Sequence, residues 1–146
     1  MLEGSCLCGA IRYEVRGAIG PMIYCHCSMC RKASGSSFAT NAPVDAADFR
    51  FVSGEARLGR YESSPGEFRC FCKRCGSPIA KLYADKTEVR IRMGTLEGDP
   101  AIGPVGHILT GSKAPWTRIT DGLPETEGVP TAEWMRDSIR AERARR

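Results

Sequence analysis

Several things are missing from this 146-residue sequence, and each absence narrows its class. No segment approaches the roughly 20 apolar residues that a membrane-spanning helix needs. The N-terminus carries Glu3 and Gly4 just before Cys6, with neither a basic stretch nor an apolar run of signal-peptide length. No internal repeat at a fixed period is visible, so a solenoid or propeller is not expected. Histidine is nearly absent, with two residues, His26 and His107. The chain is therefore read as cytoplasmic and as one main domain, long enough for a single hydrophobic core. In a reducing compartment clustered cysteines hold metal more often than they pair as disulfides. Four disulfides are the alternative if the protein is secreted.

Cysteine is what the chain has in quantity. Seven of its eight cysteines lie in Cys6-Leu7-Cys8-Gly9, Cys25-His26-Cys27-Ser28-Met29-Cys30 and Cys72-Lys73-Arg74-Cys75-Gly76. Grouped thiols at this spacing encircle a soft tetrahedral ion, most often zinc, although iron can occupy a four-sulfur site. The formal net charge of +4 counts every cysteine as neutral. A four-thiolate and a three-thiolate divalent site would lower it to about +1, which removes the bulk-charge argument for nucleic-acid binding.

Alternating apolar and charged residues mark strands at Ile11–Arg16 and Val89–Met93, with shorter runs at Phe49–Phe51 and Leu58–Tyr61. Pro78–Tyr83 is expected to pair with the 89–93 run through a hairpin loop over 84–87. Short strands at this spacing predict a mainly β fold of antiparallel sheets. Between Gly94 and Pro130 five prolines exclude a long regular element, while Ile102, Val105, Ile108, Trp116 and Ile119 supply apolar anchors for an ordered covering loop. A helix is expected from Thr131, its N-cap, with Trp134, Met135 and Ile139 at helical spacing and Arg136, Arg140, Arg143, Arg145 and Arg146 making it basic. The organisation expected is a zinc-binding domain over 1–130 and a basic helical extension over 131–146.

In extended chain, residues i and i+2 face one way. Cys6 and Cys8 are thus expected to point together, with Gly9 and Gly76 following their knuckles where unusual backbone angles are needed. Joining Cys6/Cys8 to Cys72/Cys75 makes one four-thiolate site, although another partition of ligands is open. Cys25 and Cys27 share a face with His26 opposed, which favours a hydrogen-bonding role for His26 over ligation. Cys30 joins them if Ser28 caps a short helix. Arg31 and Lys32 would then stand near the centre, where they attract an anionic substrate. Three thiolates leave a divalent ion with a net charge of −1, a poor acidifier of water but a competent carrier for a further thiolate. Thiol chemistry is favoured over hydrolysis, and the Pro-Cys-x-x-Cys and His/Cys-x-Glu pattern of zinc deaminases is missing. Cys70 is either a spare buried thiol or a fourth ligand that closes the second site and silences it.

The chain resembles the glutathione-dependent formaldehyde-activating enzyme family, whose domain is shared with centromere protein V. The resemblance runs from Gly4 to Pro124. It rests on Gly4-Ser5-Cys6-Leu7-Cys8-Gly9 with Tyr13, Cys25-His26-Cys27-Ser28-Met29-Cys30-Arg31 with Gly35, Gly54, Tyr61-Glu62-Ser63-Ser64, Arg69-Cys70-Phe71-Cys72-Lys73-Arg74-Cys75-Gly76, Gly94-Thr95-Leu96, His107-Ile108 and Trp116. It implies an Mss4-like β-tent with two zinc ions, a structural one on Cys6, Cys8, Cys72 and Cys75 and a catalytic one on Cys25, Cys27 and Cys30. It also implies condensation of glutathione with formaldehyde to S-hydroxymethylglutathione, catalogued as a carbon–sulfur lyase reaction. Cys70 and the helix after Pro130 lie outside the family's pattern.

His107, Lys113 and Trp116 are the expected substrate-binding residues, because the covering loop carries them and a dicarboxylate tripeptide needs cationic partners. The partner expected is a small-molecule thiol such as glutathione, with no membrane and no nucleic acid. The rival is a non-catalytic zinc-scaffolded binding module.

Overall fold

The computed structural model describes residues 1–146, and the chain is mainly β. The strands are β1 (Leu2–Ser5), β2 (Arg12–Val15), β3 (Met22–Cys25), β4 (Ala39–Asp45), β5 (Phe49–Ser53), β6 (Leu58–Ser64) and β7 (Glu67–Cys72). They continue with β8 (Pro78–Tyr83), β9 (Glu88–Arg92), β10 (Leu96–Glu97), β11 (Pro104–Ile108) and β12 (Glu125–Thr126). Two α-helices, α1 (Ser28–Ser34) and α2 (Ala132–Arg145), complete the regular structure. Neither is long and apolar enough to cross a membrane. The chain divides into a first unit, 1–20 with 42–100, and a second unit, 21–41 with 101–146.

In the first unit β10, β1, β2 and β5 form a four-stranded sheet. Gly4 lies opposite Tyr13 in the β1–β2 register. A Cβ on Gly4 would overlap the Tyr13 ring, so glycine is what lets that fully buried ring lie flat across the neighbouring strand. The Tyr13 hydroxyl shares a 2.9 Å hydrogen bond with Thr95, satisfying its one polar atom. Strands β6, β7, β8 and β9 form an antiparallel meander in which Leu58, Ile79, Ala80, Val89 and Ile91 are buried. The expected hairpin over 84–87 is present between β8 and β9, with Lys86 at φ +54° in its loop.

In the second unit β3 is flanked by β4, antiparallel through Ile23–Asn41, Tyr24–Thr40 and Cys25–Ala39, and by β11. The β11–β3 and β11–β12 pairs are parallel, which the alternation pattern did not reveal because it carries no information on strand direction. The proline-rich span after Gly94 is ordered by these short strands. Helix α2 has Thr131 as its N-cap, whose hydroxyl accepts from the Trp134 amide at 3.1 Å. Its Trp134, Met135 and Ile139 pack against the buried cluster of Ile23, Cys25, Cys30, Ala39, Val105 and Ile108. Gly106 on β11 leaves room for the Trp134 ring. Glu142, 5% exposed, ties the helix end to the Gly103 amide at 2.8 Å and to Arg146 Nε at 2.6 Å.

Candidate metal centres and active site

Four thiols meet in the first unit. The Sγ atoms of Cys6, Cys8, Cys72 and Cys75 all lie within 4.8 Å of one another. Cys6–Cys8 is 3.6 Å and Cys8–Cys72 is 3.9 Å. A tetrahedron with metal–sulfur bonds of about 2.3 Å has sulfur–sulfur edges of about 3.8 Å, so the donor set fits a tetrahedral ion. The backbone around Cys6 and Cys8 is a turn, closed by Gly9 N–H donating to Cys6 O at 2.9 Å, whereas extended chain was expected. The expected convergence is still reached, with Leu7 turned out to solvent. Gly9 at φ +70° and Gly76 at φ +77° take the left-handed backbone that ends each knuckle.

Polar groups around this site favour charge on sulfur. The Ile11 amide donates to Cys6 Sγ at 3.3 Å, and the Ser77 hydroxyl lies 3.3 Å from Cys75 Sγ. The Ser77 hydroxyl, with its amide, pulls the Cys75 thiol down to about 5. The Ala10 amide acts in the same direction on Cys8, but burial and the facing thiols of Cys6, Cys75 and Cys72 push that group up to about 11. Four sulfurs so close cannot all carry charge without a cation among them.

A second group, in the second unit, holds three thiols: Cys25, Cys27 and Cys30, again mutually within 4.8 Å. Strand β3 ends at Cys25, and the chain turns through His26 into α1. The N-cap of α1 is Cys27 where Ser28 was expected. Cys27 Sγ accepts from the Cys30 amide at 3.3 Å, which folds Cys30 back onto its two partners. The neighbouring thiols of Cys27 and Cys30, more than burial, push the Cys25 thiol far above its usual range. This donor set, too, fits a soft cation and is costly to ionise without one.

His26 is buried and enters a polar chain that runs out to the exposed Asp121, the hydrogen-bonding role expected for it. His26 Nε2 and His107 Nδ1 are 2.8 Å apart, and His107 Nε2 is 2.9 Å from Asp121 Oδ2. Burial raises the Asp121 carboxyl, but the Leu123 amide and His107 hold it below its usual range, so at neutral pH it accepts. A neutral His107 then carries its proton on Nε2 and accepts at Nδ1, and His26 donates from Nε2. His26 Nδ1 is left as a buried acceptor with no hydrogen-bond partner. Burial, then the neighbouring His107, holds His26 below the usual histidine value, consistent with a neutral ring. The rings of Tyr24 and Phe38 pack on the pair.

The remaining expected residues have different partners. His107 is 2% exposed and belongs to this chain of hydrogen bonds. Lys113 donates its ammonium to Thr117 O at 3.0 Å. Trp116 is 74% exposed and lines an open groove of about 410 Å³ with Arg31, Lys32, Gly35, Ser36 and Ser37. Arg31 Nε donates to His26 O at 3.2 Å, which anchors one wall of the groove to the turn that carries Cys25 and Cys27. Cys70 is buried in β7 of the first unit, its thiol against Phe68 O at 3.7 Å, and burial pushes it up to about 11. Asp121, Ser36 and Ser37 were not singled out by sequence reasoning. All three lie outside helices and strands, where no periodicity marks a side chain's direction.

Comparison with known proteins agrees with this arrangement. The family model described as glutathione-dependent formaldehyde-activating enzyme matches residues 1–112, which hold every cysteine of both groups. A Halomonas elongata protein named "Putative glutathione-dependent formaldehyde-activating enzyme" is 42% identical over 90 residues, 54% of this chain and 54% of that protein. An uncharacterized lyase of Schizosaccharomyces pombe is 32% identical over 83 residues, 57% of this chain and 58% of that protein. The chain thus spans little more than half the length of these curated relatives. Among solved structures, a Rhodobacter sphaeroides protein superposes with a TM-score of 0.57 at 28% identity, covering 66% of this chain and 89% of that one. With its model matched over residues 1–112, the family is established: this chain belongs to the glutathione-dependent formaldehyde-activating enzymes.

Proposed function

We propose that the protein is a zinc-dependent enzyme of carbon–sulfur bond chemistry, joining glutathione to formaldehyde as S-hydroxymethylglutathione or cleaving that adduct. The observation that carries this reading is the contrast in donor number, four thiols in one group and three in the other. Cys6, Cys8, Cys72 and Cys75 would hold a structural zinc, and Cys25, Cys27 and Cys30 a second one. A zinc ion held by Cys25, Cys27 and Cys30 would supply a soft Lewis-acidic position suited to lowering the pKa of an added thiol.

The chain's own residues supply the rest. The Cys27-capped turn of α1 sets the three sulfurs in place, and the His26–His107–Asp121 chain fixes the turn between Cys25 and Cys27 against β11. In the forward reaction the thiol sulfur bonds to the aldehyde carbon, the carbonyl π bond opens, and the thiol proton ends on the new hydroxyl oxygen. We place the activity in the cytoplasm, where clustered thiols stay reduced.

The test combines metal analysis with turnover. Purified protein should contain two zinc ions per chain and accelerate glutathione-dependent loss of formaldehyde, with Cys27→Ser losing one zinc and the rate. A protein with two zinc ions, no rate and no response of its metal–sulfur spectrum to glutathione would instead be the zinc-scaffolded binding module.

A further inference from the structure

The groove beside α1 has a composition that the three-thiol group does not explain. Its lining is Arg31, Lys32, Gly35, Ser36, Ser37 and Trp116. It holds two cations, two hydroxyls and one indole face, with no carboxylate among them. Arg31, which lines the groove, uses Nε on the His26 carbonyl, a bond that does not engage the terminal nitrogens of its guanidinium. At about 410 Å³ the space falls in the range that small-molecule ligands occupy. Arg31 and Lys32 directly follow Cys30, so an anion held here lies close along the chain to the third thiol.

We infer that this groove is the specificity subsite of the enzyme and takes a carboxylate of the thiol substrate, with Arg31 and Lys32 pairing the anion, Ser36 and Ser37 donating to it, and Trp116 covering the peptide backbone. The inference rests on the thiol-adduct reading above and sharpens it. Peptide thiols bearing a carboxylate are selected, and neutral or cationic thiols such as cysteamine are rejected. The cationic contacts come from Arg31 and Lys32, and Lys113, bonded to the Thr117 carbonyl, serves the loop instead.

The experiment separates the groove from the metal by using S-methylglutathione, which keeps both carboxylates but has no thiol to ionise. Zinc-loaded protein is titrated while the fluorescence of Trp116 is followed, with Trp116→Phe to identify the signal and calorimetry as a second readout. Saturable binding is expected, weakened about tenfold or more by Lys32→Gln, and about tenfold or more when the ligand's carboxylates are esterified, as loss of one charge-assisted contact implies. Arg31→Gln should act likewise. Because Arg31 also braces the His26 turn, Lys32→Gln and Ser36→Ala provide variants outside that contact.

Equal affinity for acid and ester, or wild-type affinity in Lys32→Gln and Arg31→Gln alike, would overturn the assignment. So would inorganic phosphate competing as well as the peptide, since the groove would then be a general anion site. The outcome is independent of turnover: selective binding without formaldehyde chemistry would sink the proposed reaction and leave the subsite standing.

Discussion

The two cysteine groups solve different physical problems. The first draws ligands from both ends of a long loop, with Cys8 and Cys72 separated by 64 positions. An ion bound there would close a loop whose entropy is otherwise unfavourable, and its binding energy would become folding energy. The second takes all three ligands from Cys25 to Cys30, within one turn and the start of one helix. Its neighbourhood is already held by apolar packing of Ile23, Val105 and Ile108 with α2, and by the buried histidine pair. A group that is not needed to hold the chain together is free to be incomplete. On the proposed reading, the difference in donor number would follow a difference in structural duty.

Removing a ligand from each group is the direct way to break this comparison. Cys72 is fully buried, and Cys72→Ser should abolish the cooperative thermal transition, because several kcal/mol of metal-linked folding energy are lost. A melting temperature no lower than that of Cys27→Ser would end the claim that the first group is structural. His107→Ala strips partners from both His26 and Asp121 and should cost about 2–4 kcal/mol in urea unfolding. It should also lower metal affinity at the three-thiol group while leaving the four-thiol group loaded.

Glu142→Gln probes how the end of α2 is held in the second unit. The Arg146 guanidinium holds the Glu142 carboxyl below its usual value, so its stabilisation is complete above the ordinary glutamate range. It is lost as pH falls through the lower folded value. Wild type should therefore exceed the variant by about 1–2 kcal/mol at neutral pH, with the gap closing in acid denaturation series. Smallest of all, Cys27→Ser should shift stability by less than about 1 kcal/mol, since serine is itself a favoured helix cap. It should nonetheless release one equivalent of metal, seen by elemental analysis.

The four-thiol group was readable because Cys72 and Cys75 sit three apart with Gly76 behind them, a spacing that has few uses besides a metal knuckle. Strands such as Pro78–Tyr83 and the Thr131 cap were readable for the same reason, since side-chain period and cap chemistry are local. Three things were not. The parallel pairing of β11 with β3 depends on chain direction across the whole stretch from residue 26 to 103, which alternation does not encode. Asp121 lies in irregular chain, and its partner His107 looked like a pocket residue because its burial comes from Tyr24, Phe38 and His26, which are distant in sequence. The capping role of Cys27 was assigned to Ser28, because a thiol is a weak acceptor and serine the more usual cap.

That sulfur-capped helix has a consequence for how the centre would report on itself. The first turn of α1 and the ligand set share one atom, Cys27 Sγ, through its bond from the Cys30 amide. Alkylation, oxidation or loss of the ion changes the electron density on that atom, and with it the protection of a single main-chain hydrogen. Exchange at Cys30 N–H therefore tracks the occupancy of the centre from inside the backbone, without a label and without turnover.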